Sequence, residues 1–454
     1  MNVPPPAAAP RRQLTVLDTT SIIVGIIIGA GIFEATPVVA ANVPGPMALL
    51  GIWLAGGLVA LVGALCYAEL TTTYPRSGGD YVFLTRAYGR GTGFLFAWAE
   101  YWIVRPGNVG AMAYVFARYA HQLWPLGTSG HDFVIYACAA VGLLTGLNLL
   151  GVRFGKWTQN GLTCAKLAGL LAVIGVGLLL TRPEPMAAGA LSEPAPAGWS
   201  LALIMVLFAY GGWNEMSYVA AEIREPEQNV LRALLLGSLT VSTVYLLVNV
   251  AFLRTLGFEG LRTSPAVAAA VVRLRFADWG EGAISLLICV SCLGAINGML
   301  FTGARIYYAM GTEHPLFRWL GNWSGRVEAP THALVLQAVV TLALVVGFGP
   351  DQRAFERLVI FTTPVFWCFF LLVGISLFVL RARDPATPRV FRVIAYPWTP
   401  LAFCLACLFM LQASLAWAVH NRSREVLWSV GILLTGAVVY LGDLLLRHRR
   451  RLRG

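Results

Sequence analysis

Long apolar runs separated by short polar segments fill almost the whole chain. A helix needs about 20 residues to cross about 30 Å of hydrocarbon, and twelve of the runs reach that length. The pattern therefore predicts an all-α integral membrane protein with twelve transmembrane helices and no soluble domain. The predicted spans are 15–42, 47–73, 90–120, 132–150, 157–181, 198–222, 230–256, 279–310, 331–349, 355–380, 396–420 and 424–447.

Two of these spans are interrupted by glycines. The first span contains Gly29, Ala30 and Gly31, and the sixth contains Gly211 and Gly212. Every backbone polar group inside a bilayer needs a partner, so an interrupted helix is tolerated only where it lines a cavity or a site. Breaks at corresponding positions of two halves are typical of secondary transporters with inverted repeats. The sequence thus predicts a substrate site where the two breaks meet.

The first break favours an anion. Glycine leaves helical geometry at little steric cost, which releases the main-chain amides of Ala30, Gly31 and Ile32 at the start of a half-helix. Unpaired amides and the positive end of a helix bind a carboxylate. The alternative interpretation is a packing face of small residues formed by Gly25 and Gly29.

The sixth span offers the opposite preference. Where its helix opens, the carbonyls of Phe208, Ala209 and Gly211 are expected to lose their partners. The C-terminal end of a half-helix favours a cation such as an α-ammonium group. The two breaks together therefore predict a ligand that carries both charges, as an α-amino acid does.

Composition supports a membrane protein and excludes a nucleic-acid partner. Hydrophobic residues make up 57% of the chain and charged residues 12%, with a formal net charge of +11. The arginines lie in short loops between apolar runs, where they determine topology. Their distribution favours cytoplasmic positions for both termini in a plasma or inner membrane, where lipid is the surrounding partner.

No pattern of catalytic or metal-binding residues is present in the sequence. The six histidines lie in loops or at span ends, and no group of residues has the spacing of a zinc site. The sequence predicts that the protein is not an enzyme and needs neither a metal nor a cofactor. All eight cysteines lie inside apolar segments, which predicts packing residues without disulfides; they are Cys66, Cys138, Cys164, Cys289, Cys292, Cys368, Cys404 and Cys407.

Three segments closely resemble the L-amino acid transporter family of the amino acid-polyamine-organocation superfamily. They are residues 25–33 (GIIIGAGIF), residues 66–81 with the motif PRSGGDY, and residues 208–214 (FAYGGWN). The resemblance implies the leucine-transporter fold, in which spans one to five and six to ten are inverted repeats and two further helices are peripheral. The family usually has serine at the position of Ala30, so one hydroxyl is missing here.

The resemblance also implies roles for individual residues. It places Lys166 beside the first break, where sodium-coupled relatives bind a cation; the alternative is a lysine that reaches the cytoplasmic interface. It places Tyr245 beside the substrate and makes Phe208 and Trp213 gates, the alternative being aromatic packing. The predicted substrate-binding residues are Ile27, Gly29, Ala30, Gly31, Ile32, Phe208, Ala209, Gly211 and Tyr245, and the predicted gating or coupling residues are Lys166, Phe208, Trp213, Glu34 and Glu215.

Two acidic residues fit the pattern less well. Glu34 follows the first break, and Glu215 lies three residues beyond the second. If either lines the pocket, it favours a cationic substrate or a proton site, but a solvated vestibule position is the favoured interpretation. Glu100 and Arg105 in span three are interpreted as structural or gating charges that can form a buried pair.

These observations predict a secondary transporter of neutral L-amino acids that works by alternating access, as a sodium-independent exchanger or facilitator. The alternatives are a proton-coupled or cationic amino acid or polyamine antiporter, and a non-transporting amino acid sensor. Eukaryotic relatives pair with a glycoprotein through a cysteine after span three, and residues 121–132 contain none, so no covalent heavy-chain partner is expected. The predicted units are a cytoplasmic tail at 1–14, a transport core at 15–380 with repeats at 15–181 and 198–380, two peripheral helices at 396–447 and a basic cytoplasmic tail at 448–454.

Overall fold

The computed structural model describes residues 9–127, 131–180, 198–264, 266–349, 353–420 and 422–451. Every regular element in these ranges is a helix, and the β-type pairings within them are two isolated bridges. The prediction of an all-α protein is confirmed. Residues 1–8 of the predicted tail at 1–14 and residues 452–454 of the predicted tail at 448–454 lie outside the described residues.

The described residues form fifteen α-helices, two π-helical segments and two 3₁₀ helices. Two π-helical segments cover Glu100–Val104 and Val176–Leu180, and two 3₁₀ helices cover Trp213–Glu222 and Pro315–Gly321. The α-helices are α1 (Val16–Ile27), α2 (Gly31–Ala41), α3 (Pro46–Thr73), α4 (Asp80–Tyr88), α5 (Arg90–Ala99), α6 (Arg105–Leu123), α7 (Asp132–Leu149), α8 (Val152–Gly175), α9 (Gly198–Ala209), α10 (Pro226–Thr263), α11 (Val267–Glu313), α12 (Thr331–Phe348), α13 (Ala354–Arg383), α14 (Trp398–His420) and α15 (Arg424–Arg451).

Nine helices in the described ranges are long and apolar enough to cross a membrane, or ten if the bent pair α1 and α2 is one span. The other two predicted spans are helical but interrupted. In span 90–120, a π segment that begins with Glu100 separates α5 from α6, and in span 198–222, α9 gives way to a 3₁₀ helix. The chain is thus a multi-pass membrane protein, and the count of twelve spans stays a prediction.

Burial differs strongly among the long helices. The most apolar stretch of α11 is 83% buried, whereas the corresponding stretches of α14 and α15 are 28% and 17% buried. Because α11 also packs against α1, α6, α8 and α12, it lies at the centre of the bundle. The exposed apolar faces of α14 and α15 suit contact with lipid, as expected of peripheral helices.

Both glycine breaks are present in the structure. The first bends the span by 46°, since Ile28 leaves helical geometry with ψ of 78° and the helix restarts at Gly31. At the second break Gly212 has φ of 119°, a conformation that residues with a side chain rarely adopt. Gly29 and Gly31, which are both described, do not have a positive φ. Backbone freedom therefore explains the glycine at 212, and the reason for Gly31 is found in its packing.

Candidate substrate-binding site

The two breaks contact each other near the centre of the bundle. A Cβ atom added to Gly31 would lie 3.2 Å from the Cα atom of Ala209 and 3.3 Å from its Cβ atom. Tyr245 of α10 joins the same segments, because its hydroxyl donates to the Ile27 carbonyl at 2.9 Å and lies 3.2 Å from the Ala209 carbonyl. The end of α9 and the start of α2 thus form one continuous surface.

The start of α2 presents main-chain donors. In the described part of the chain, the amides of Ala30, Gly31 and Ile32 have no main-chain acceptor. A helix leaves its first amides unpaired, and its positive end favours an anion. Ala30 and Ile32 are buried, but Gly31 keeps accessible surface. A carboxylate of a small molecule can therefore approach the helix at Gly31.

The end of α9 has fewer free carbonyls than the sequence predicts. The Phe208 carbonyl accepts the Gly211 amide at 3.1 Å, and the Ala209 carbonyl faces the Tyr245 hydroxyl. The expectation is wrong for Phe208, whose carbonyl closes a tight turn, and the Ala209 carbonyl shares the single hydroxyl proton of Tyr245 with the Ile27 carbonyl. Within the described residues the Gly211 carbonyl has no main-chain donor, and Gly211 keeps accessible surface. An ammonium group therefore has this carbonyl as its main acceptor here.

Lys166 of α8 contacts the first break directly. Its side chain is fully buried, and its Nζ donates to the carbonyls of Gly25 at 2.7 Å, Ile28 at 2.8 Å and Ser291 at 3.0 Å. The alternative of a lysine that extends to the interface is wrong, because carbonyls released by the break hold the ammonium group inside the bundle. One cation thus links α1, α8 and α11.

Glu34 lies in the first turn of α2 and faces accessible space. Its carboxylate pairs with Arg118 of α6 and also accepts the Tyr119 hydroxyl at 3.1 Å. The side chains of Glu34 and Arg118 are 32% and 48% exposed. This position agrees with a vestibule residue whose negative charge is offset by a neighbouring arginine.

Glu215 is not a solvated vestibule residue, which corrects the favoured sequence interpretation. It is 8% exposed, and both of its carboxylate oxygens accept Arg105 Nη1 at 2.8 Å. The Thr302 hydroxyl also donates to it. Glu100 Oε2 lies 3.2 Å from Arg105 Nη2, so the buried pair expected in span three is present and Glu215 joins it.

The two predicted gating aromatics have different surroundings. Phe208 is partly buried, and its ring centroid lies 6.4 Å from that of Phe355. Trp213 is 5% exposed and packs against Tyr67 and Phe403, with ring centroids 5.0 Å and 5.7 Å away. Phe208 therefore borders accessible space, whereas Trp213 sits in an aromatic cluster that reaches the peripheral helix α14.

Two residues beside the first break were missed by sequence reasoning. A Cβ atom at Gly29 would lie 3.3 Å from Met112 Sδ and 3.8 Å from Ala295 Cβ. Met112 lies on α6 and Ala295 on α11, so these helices close the space around the break. An apolar residue on an apolar helix carries no signal of its orientation, so neither residue could be identified from the sequence.

Similarity to known sequences identifies the family of this chain. The sequence profile described as amino acid permease matches residues 14–438. The chain belongs to the amino acid permease family. It is 30% identical to the human b(0,+)-type amino acid transporter 1 over 96% of this chain and 88% of that protein. It is also 30% identical to the human cystine/glutamate transporter, over 89% of this chain and 80% of that protein, and to the human large neutral amino acids transporter small subunit 2, over 97% and 82%.

Membership of this family confirms the resemblance drawn from the three sequence motifs. The relatives are amino acid transporters and not enzymes, so the prediction that the chain is not an enzyme is also confirmed. The individual site residues stay predictions, and the contacts described above show which of them the fold brings together. The fold gathers Ile27, Gly31, Ala209, Gly211 and Tyr245 at one place, and Lys166 lies against the same break.

Tyr245→Phe removes one hydroxyl and leaves the aromatic packing against Trp53 in place. We expect a folded protein with a lower melting temperature, because an unsatisfied buried carbonyl costs about 1–3 kcal/mol. Substrate affinity should also fall, since the spacing of the two breaks depends on this hydroxyl. The melting temperature in detergent and the substrate Kd check both effects.

The control is Tyr88→Phe, which removes a hydroxyl that donates to the Leu372 carbonyl at 2.8 Å and should leave substrate affinity unchanged. Parent-like affinity in Tyr245→Phe would contradict the prediction.

Proposed function

We propose that this protein carries neutral L-amino acids across the cell membrane by alternating access, as a sodium-independent exchanger or facilitator. The observation that carries the proposal is the contact between the two breaks. The amides of Ala30, Gly31 and Ile32 lack main-chain acceptors, and Gly31 packs against Ala209, two residues before the Gly211 carbonyl, which lacks a main-chain donor. A zwitterion places its carboxylate on the amides and its ammonium group on the carbonyl.

The surrounding charges support a neutral side chain on the substrate. Glu34 and Glu215 are the acidic residues nearest to the breaks in sequence, and each is paired with an arginine, Arg118 and Arg105 respectively. A carboxylate already paired with an arginine offers little attraction to a second cation. The arrangement therefore favours neutral substrates over cationic amino acids or polyamines.

The environment of Lys166 supports independence from sodium. Carbonyl oxygens are the ligands that hard cations use, and here three of them accept one ammonium group. The lysine places its ammonium group where the resemblance places the sodium of coupled relatives. A carrier with such a built-in cation does not need a sodium ion to hold the unwound segment.

Two other functions remain as alternatives. An antiporter of cationic amino acids or polyamines requires Glu34 to exchange its arginine for the substrate, and a proton-coupled antiporter requires a carboxyl group that binds and releases a proton during the cycle. A sensor requires the same pocket without transport. A panel of twenty amino acids in competition with a radiolabelled substrate in proteoliposomes, with and without internal amino acid, separates all three. Inhibition by neutral amino acids and stimulation by internal substrate support exchange, preferred inhibition by lysine supports the antiporter, and binding without flux supports the sensor.

Substrate analogues test the assignment of the carboxylate to α2. Amino acids whose carboxylate is reduced to an alcohol or converted to an amide should fail to compete, because only an anion gains from the unpaired amides and the helix end. We expect competition weakened by about a hundredfold, equivalent to about 2.8 kcal/mol. The parent amino acid with an unmodified carboxylate is the matched control. Equal competition by the amide would show that the substrate lies elsewhere.

We further propose a cell-membrane location with both termini in the cytoplasm, supported by the distribution of arginines. Human relatives include a protein named a small subunit, but residues 121–132 of this chain contain no cysteine that could join a heavy chain covalently. Accessibility of single cysteines introduced at Arg12 and at Arg383 to an impermeant reagent tests this topology. Labelling of either from the outer face would contradict it.

A further inference from the structure

A closed gap lies between α4, the α5 helix with its π segment, and α13. Its walls are apolar except for the carboxyl groups of Asp80 and Glu100, and it has no room for a water molecule. Neither residue contributes to the substrate site described above. The apolar wall consists of Phe96, Ala99, Val104, Phe366, Phe369 and Phe370.

Asp80 has an incomplete set of partners. Asp80 is the first residue of α4 and is 1% exposed. Its Oδ2 accepts the Tyr218 hydroxyl at 2.9 Å, whereas its Oδ1 makes no hydrogen bond of normal geometry among the described residues, although the Tyr67 hydroxyl, which also lacks such a bond, lies nearby. An ionised carboxylate with an unpaired buried oxygen is expensive, so this group requires a ligand or a proton.

The buried charges near the gap do not balance. Asp80, Glu100 and Glu215 are all buried, and one arginine, Arg105, binds Glu215 at 2.8 Å and Glu100 at 3.2 Å. If all three carboxyl groups were ionised, two negative charges would stay uncompensated in apolar surroundings. The phenols of Tyr67 on α3 and Tyr218 on the 3₁₀ helix face Asp80, the Tyr307 hydroxyl of α11 donates to the Glu100 carbonyl at 3.1 Å, and α13 contributes apolar side chains.

The gap fits a proton and not a metal ion. A hard cation needs several oxygen ligands, often including water, and this gap offers two carboxyl groups and no space for water. Asp80 lies in α4, outside the predicted spans. Burial, with smaller contributions from Glu100 and Glu215, raises the pKa of Asp80 to about 8, against the opposing interactions with the hydroxyls of Tyr218 and Tyr67.

We propose that Asp80 is a proton-binding site whose carboxyl group holds a proton at neutral pH, facing Glu100 across the gap. The site is linked to the second break because Glu215, which shares Arg105 with Glu100, donates its amide to the Gly212 carbonyl at 3.2 Å. Loss of the proton raises the number of uncompensated negative charges in this cluster from one to two. Deprotonation therefore disfavours the packing of this cluster and slows the conformational cycle. Only this effect on flux rests on the proposed function.

Infrared difference spectroscopy of the purified full chain tests the proton directly, without any need for transport. The parent at about pH 7 should show the carbonyl stretch of a protonated carboxylic acid, which disappears as the pH rises above about 8. Labelling all aspartates with ¹³C should shift this band, and Asp80→Asn should remove it. Asp384→Asn is the matched control, since Arg86 lowers the pKa of Asp384 and this carboxyl should already be ionised.

Three results would overturn the proposal. They are the absence of the band at neutral pH, a band that does not shift with labelled aspartate, and an unchanged band in Asp80→Asn. The labelled parent gives an answer even if Asp80→Asn does not fold.

Exchange in proteoliposomes tests the link to the second break. The parent should slow by about tenfold between about pH 6 and pH 9, because the ionised cluster repels itself, whereas Asp80→Asn resembles the protonated state and should show little dependence on pH. Parallel pH profiles of the two proteins would overturn the link. A complete lack of transport would contradict the proposed function, and the infrared result would still decide whether Asp80 holds a proton.

Discussion

Lys166→Ala should lose most of the exchange flux while it keeps much of its substrate affinity. The ammonium group holds carbonyls of Gly25, Ile28 and Ser291, so it ties the first break to α11. Without it, the broken segment loses its connection to the helices against which it must move, whereas the amides of α2 stay in place. We expect the exchange rate to fall at least tenfold, which corresponds to about 1.4 kcal/mol in the barrier.

The measurement is exchange rate against sodium concentration, with choline as the replacement, for the parent and the variant. The parent should be indifferent to sodium, since its cation is covalently attached to the chain. Lys156→Ala is the matched control, because Lys156 is the other lysine of the sequence and also lies on α8, where it pairs with Asp18 at 3.1 Å. Steep sodium dependence of the parent, or full flux in Lys166→Ala, would refute the role.

Gly31→Val should abolish substrate binding and leave a folded protein. Even a single Cβ atom added at this position would lie 3.2 Å from Ala209 Cα, so the larger valine side chain must push the start of α2 away from the end of α9. The added methyl groups also occupy the accessible surface from which a carboxylate reaches the amides. We expect affinity to fall at least a hundredfold, or about 2.8 kcal/mol.

Substrate Kd and the melting temperature in detergent check this prediction together. Gly161→Val is the matched control, since Gly161 is an exposed helical glycine with open space where its Cβ atom would lie. It should bind normally. Affinity of Gly31→Val within about threefold of the parent would show that the carboxylate does not lie at the start of α2.

The reason for glycine at position 31 illustrates the limit of local reasoning. The sequence suggests that glycine is needed for an open backbone, and this explanation holds for Gly212, with φ of 119°. At Gly31 the constraint is the close approach of Ala209, a residue from the other break. A packing contact of this kind depends on the arrangement of two helices and leaves no local pattern.

Charged residues show the same limit. The sequence indicates that Glu100, Arg105 and Lys166 lie within apolar spans, because charges are rare there. It does not indicate that Glu215 pairs with Arg105, which is 110 residues away, or that Lys166 reaches a carbonyl 141 residues away. Such partners depend on how each helix is rotated in the bundle, and for that reason the vestibule position expected of Glu215 was wrong.

The sequence by itself determined the helical class, the positions of the two breaks and the family, because run length, glycine and short motifs are local properties of the chain. The tertiary structure decided what each break offers to a ligand. The Tyr245 hydroxyl lies against the Ala209 carbonyl, and the Gly211 amide donates to the Phe208 carbonyl. The Lys166 ammonium group donates to the carbonyls of Gly25 and Ile28. A polar group in a bilayer takes the nearest partner that packing brings to it, and for three of these four carbonyls that partner belongs to another helix.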